Sequence, residues 1–134
     1  MRMHVVATLP ALAILLAACA GGGMYSQPYA LIESDRGDAL SDTRPATVMK
    51  VDGTNRTIGQ IEPVPPGKHT VEVSIPGPTG MSSSSRDTLE IDAKPCTRYY
   101  LSARRSSRTA DDWRSFVSST EPIGECVKKF SDGK

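Results

Sequence analysis

The chain has 134 residues, with 16 lysines and arginines against 15 acids, for a formal charge of +1. That balance supplies no global field to gather nucleic acid or acidic polymers, and the length suits one domain rather than two. Aromatic residues make up only 5%, so valine, isoleucine and leucine must supply most of a modest core, which gains from covalent help.

The chain opens with Arg2 and His4, and Val5 to Leu16 is almost unbroken apolar sequence running into Leu16-Ala17-Ala18-Cys19. This run is shorter than the roughly 20 apolar residues that a spanning helix needs. A positive start, a short apolar core and a small-residue end are the features of a removed secretory signal over residues 1–18. Leu-Ala-Ala-Cys further resembles the lipobox of bacterial lipoproteins. The resemblance implies cleavage between Ala18 and Cys19, acylation of the Cys19 thiol, and a hold on the membrane through that lipid. Ala20 stands where an inner-membrane retention signal has aspartate. By the same resemblance, the destination is the outer membrane of a Gram-negative bacterium, facing the periplasm. Loss of residues 1–18 removes Arg2 and leaves 15 basic and 15 acidic residues.

Residues 19–28, rich in glycine, read as a lipidated flexible tether, and residues 29–134 as the domain. A first short strand is expected over 29–33 and a loop over 34–45. Residues 46–51 and 56–61 are expected to pair across Asp52-Gly53-Thr54-Asn55, because Asp-Gly readily supplies positive φ. Pro66-Gly67 suits a type II turn. In residues 68–75, Val71, Val73 and Ile75 alternate with Thr70, Glu72 and Ser74, the pattern of a strand with one face in the core. Residues 76–86, with Pro-Gly-Pro and four consecutive serines, read as a mobile loop. Strands are expected at 87–92, 96–103 (Tyr99, Leu101 and Ala103 inward) and 113–119. A polar loop spans 104–112, and 121–124 form a turn toward Cys126. No helix is expected after the signal.

Six to seven short strands separated by turns predict an all-β fold: a single small β-sandwich, immunoglobulin-like or transthyretin-like, preceded by a signal-peptide helix. With Cys19 acylated, Cys96 and Cys126 are the pair left for a disulfide in an oxidising compartment. Val51-Asp52-Gly53 followed by Val64-Pro65-Pro66-Gly67-Lys68-His69-Thr70-Val71 resembles the PEGA-like β modules of bacterial envelope proteins. That resemblance implies a small surface module without catalytic residues.

Candidate chemistry is sparse. His69, the one histidine that the expected cleavage leaves, shares the parity of Val71 and Val73. It is a poor metal site without a second histidine, and the expectation is a ring packed at the core edge and bonded to backbone. Arg98, Arg104, Arg105 and Arg108, with Arg114 and nearby aromatics, form a local basic run. Such a run could take an anionic envelope glycan or lipid, although a solvated loop is the plainer expectation. Asp35, Asp38 and Asp42 lack the spacing of a calcium loop. The resulting expectation is no catalytic residue, metal, cofactor or nucleic-acid partner. The role is a structural or binding one at the envelope, with an accessory subunit of a secretion or transport assembly as the alternative and a hydrolase third.

Overall fold

The computed structural model describes residues 23–38, 40–77 and 80–131. The expected signal segment and Cys19 lie outside them. Eight strands run in chain order: β1 (Leu31–Ser34), β2 (Arg44–Pro45), β3 (Thr47–Val51), β4 (Thr54–Asn55), β5 (Gly67–Gly77), β6 (Gly80–Ala93), β7 (Thr97–Arg104) and β8 (Arg114–Pro122). A helix, α1 (Gly124–Ser131), follows. One sheet is antiparallel in the order β4-β3-β5-β6. The other is centred on β7, with β8 antiparallel along one side. Along its other side β1 pairs in parallel and β2 antiparallel, one after the other.

Period-two alternation does what it should. Val71, Val73 and Ile75 of β5 meet Tyr99, Leu101 and Ala103 of β7 in one core, with Ile32, Val64, Ile91 and Trp113. The fold is therefore the small all-β sandwich that the pattern predicts. Its disulfide joins Cys96 to Cys126, with Cα atoms 5.2 Å apart. The pair sits in a second, smaller cluster with Tyr29, Leu31 and Ile123.

Three expected elements differ. Residues 56–61 form no strand. The ladder from β3 extends only to Thr54 and Asn55, and Ile58 and Ile61 are exposed. Residues 80–86, expected within a mobile loop, instead belong to the far arm of a hairpin whose near arm runs to Gly77, with Ile75 opposite Ser85 and Pro76 opposite Ser84. Ladder hydrogen bonds between neighbouring strands hold this arm, so it needs little apolar content of its own. The helix α1 stands where the sequence predicts only a turn. Its Cys126 and Phe130 lie one turn apart, Cys126 inside the cluster of Tyr29, Leu31 and Ile123 and Phe130 packed against it. Packing also reaches into the expected tether: Met24–Ser26 makes a single 3-10 turn, and the Tyr25 ring meets Tyr29 edge-on at 5.0 Å.

The outer strands β6 and β8 are stitched together by one inward carboxylate. Register places Asp87 opposite Val73, on the core face. Burial raises the pKa of this carboxyl. The N–H and hydroxyl of Ser115 on β8, each donating at 2.8 Å, together with the Thr88 N–H and the Arg114 charge, more than offset that and hold Asp87 below the usual carboxylate range. An inward charge at an edge also guards against strand addition.

Candidate functional site

His69 occupies the core face of β5, opposite Ile91, and is 6% exposed. Its Nδ1 lies 2.6 Å from Oδ2 of Asp52, and its Nε2 lies 2.6 Å from the Pro65 carbonyl oxygen. Asp52 is placed by the hairpin turn: it and Gly53 both take positive φ, at 50° and 78°, the pattern of a type I′ turn. Its second carboxylate oxygen accepts the Thr70 N–H at 2.9 Å. The hydrogen bond from His69 holds the Asp52 carboxyl below its ordinary range, with help from Thr70. Both partners of the ring are acceptors, and the tautomer decides which ring nitrogen donates to which of them. A hydroxyl nucleophile would have to stand where the Pro65 carbonyl does. The expected backbone bond is present. The carboxylate partner is one that sequence reasoning misses, although Asp52 is legible as a turn residue.

The arginines separate. Arg98 lies near the start of β7 and Arg104 at its end, roughly 20 Å apart at about 3.3 Å per residue. Arg98 faces Glu33 at 3.2 Å and Glu121 at 3.7 Å. The Arg98 and Glu33 atoms meet as an ion pair rather than as an aligned hydrogen bond. Tyr100, then the two acids, hold the Arg98 guanidinium firmly charged despite its burial.

At the other end Arg105 pairs with Asp42 at 3.0 Å, and that hydrogen bond is the main cause of the lowered Asp42 pKa. Arg105 and Arg44 lie over the Trp113 ring, at 5.2 and 5.9 Å from its centroid, and Arg104 lies over Phe116 at 4.6 Å. Arg108 is exposed. The structure thus brings Arg104 and Arg105 to one end with Arg44, and leaves Arg98 at the other.

The three aspartates of residues 35–42 also go separate ways. Asp35 accepts hydroxyls from Ser118 at 2.7 Å and Ser102 at 3.2 Å, and the Ser118 bond leads in lowering its pKa. Asp38 bonds Ser41 and the Leu40 N–H, while Asp42 belongs to Arg105. Among the described residues no group of three or more His, Cys, Asp or Glu side chains is placed to hold a metal.

A cleft of about 220 Å³ opens between β1, β3 and residues 56–64. Ile32, Val48, Val51 and Val64 give it apolar walls, and Arg56 and Glu62 line it as an ion pair. It is smaller than the roughly 300–1,000 Å³ typical of small-molecule sites. No family model matches the chain, and neither a curated protein nor a solved structure matches it.

Proposed function

We propose that the chain is an exported lipoprotein, anchored at the outer membrane through acylated Cys19, whose β-sandwich serves the envelope by binding or structural support rather than catalysis. The observation that carries this is Leu16-Ala17-Ala18-Cys19 directly after the short apolar run. The pairing of Cys96 with Cys126 supports it, because of the three cysteines it leaves Cys19 alone outside a disulfide. A structural disulfide also fits an oxidising compartment such as the periplasm. The Asp52-Gly53 turn and the Pro-Gly-Lys-His-Thr-Val strand support a PEGA-like module. The site residues fit a non-catalytic role: His69 and Asp52 spend their hydrogen-bonding capacity on the backbone and on each other.

Intact mass of the protein extracted from membranes tests the anchor. The expected species starts at Cys19 and carries diacylglycerol mass, and Cys19→Ala accumulates as unprocessed precursor. A mature chain starting at Ala20 or later without added lipid would overturn the proposal.

A further inference from the structure

The folded domain begins almost at the anchor. Cys19 is four residues before Gly23, and four Cα steps of 3.8 Å reach at most about 15 Å. From Gly23 the chain turns through Met24–Ser26 and lies beside α1, where Lys129 Nζ donates to the Tyr25 carbonyl at 2.7 Å. Cys126 and Phe130 fix α1 to Tyr29, so this end is one packed unit with the disulfide. What it leaves outward is a mixed surface. Tyr25 is 51% exposed, Val127 42%, and Lys128 and Lys129 are exposed beside them, with Glu125 the acid of the same helix.

We infer that this end, formed by residues 23–28 and α1, docks on the anionic headgroup surface of the membrane that holds the lipid. The inference rests on acylation of Cys19. A tether of that reach cannot lift the Tyr25 end far from the headgroups. Tyrosine suits the boundary, with an apolar ring and a polar tip; Lys128 can extend its stem to place an ammonium at phosphates, and Lys129, whose ammonium holds the Tyr25 carbonyl and lies over Phe130, adds its charge beside it. β8 spans nine residues, so the opposite end, with Arg104, Arg105 and Trp113, stands roughly 30 Å further out. Those arginines then face the compartment and not the anchoring leaflet.

The test uses the full acylated chain in vesicles of phosphatidylethanolamine and phosphatidylglycerol, with lipids brominated near the headgroup as tryptophan quenchers. The natural chain has one tryptophan, Trp113, which reports the far end. Tyr25→Trp adds a second emission, expected to be quenched at least about twofold more strongly than that of Trp113. Lys128→Gln with Lys129→Gln in that background, or a wholly zwitterionic vesicle, is expected to reduce the added quenching by about half. A lipid-bearing Tyr25→Trp chain whose added emission is quenched no more than that of Trp113 overturns the docking while leaving the anchor intact. A chain without lipid mass that fails to float with vesicles overturns both.

Discussion

At the α1 end, Cys96 and Cys126 lie buried among Tyr29, Leu31 and Ile123, while the end carrying Arg105 is held by an ion pair to Asp42 and by guanidinium groups over Trp113. The first end is closed by a covalent bond and apolar burial, neither of which salt weakens. Arg105 and Asp42 keep about a quarter of their side-chain surface in water, so their attraction is partly screened. Removing the same number of atoms from the two ends should therefore have very different consequences.

The sharpest way to break this contrast is the disulfide. Cys96→Ala with Cys126→Ala opens a loop of 30 residues and should cost about 3–4 kcal/mol in urea unfolding, by the chain-entropy relation. A cost below about 1 kcal/mol would show that apolar packing alone closes this end.

His69→Ala comes next. It removes a buried ring and leaves the Pro65 carbonyl without its donor, for an expected loss of about 2 kcal/mol. Loss of the Asp52 contact should also show in how stability follows pH. Asp35, Asp42, Asp52 and Asp87 are all held below their ordinary range by donors in the fold. The unfolded chain takes up protons first as pH falls below about 4, so stability is full above that value and drains away below it. Urea midpoints measured at several pH values should decline on acidification, and less steeply in His69→Ala, where Asp52 has lost its main partner.

Arg105→Gln should do least. The expected change in melting temperature is about 2–3 °C at low salt, vanishing at about 1 M salt. A large, salt-independent loss would mean that the stacking on Trp113, rather than the charge pair, closes that end.

What can be read from the sequence follows the same division. β5 and β7 are legible because a single core face imposes alternation, and Cys96 and Cys126 because the lipobox reading sets Cys19 apart from the other two cysteines. Residues 56–61 mislead because Ile58 and Ile61 carry the apolar look of a strand while lying outside the core. The Ser82 to Ser85 arm fails the other way: its pairing is written in the partner strand and in ladder bonds, not in its own residue types. α1 does leave a signal, since Ile123, Cys126, Val127 and Phe130 fall at helical spacing, but the segment is short and the turn signal before it dominates. The partners of Asp35 and Asp42 are beyond reach, because Ser102, Ser118 and Arg105 lie 67, 83 and 63 residues from them along the chain.

The parallel pairing of β1 with β7 has a consequence in time. Leu31 finds its place beside Arg98, and Ile32 beside Tyr99, so the first of the described strands waits for the seventh. At about 5–20 residues synthesised per second, the wait is several seconds. During that interval β1 lacks its ladder partner and has beside it only the bridge from Ala30 to Val64, and a topology so dependent on distant contacts closes slowly. Under the export proposed above, such late closure would favour threading of the chain before the sandwich assembles.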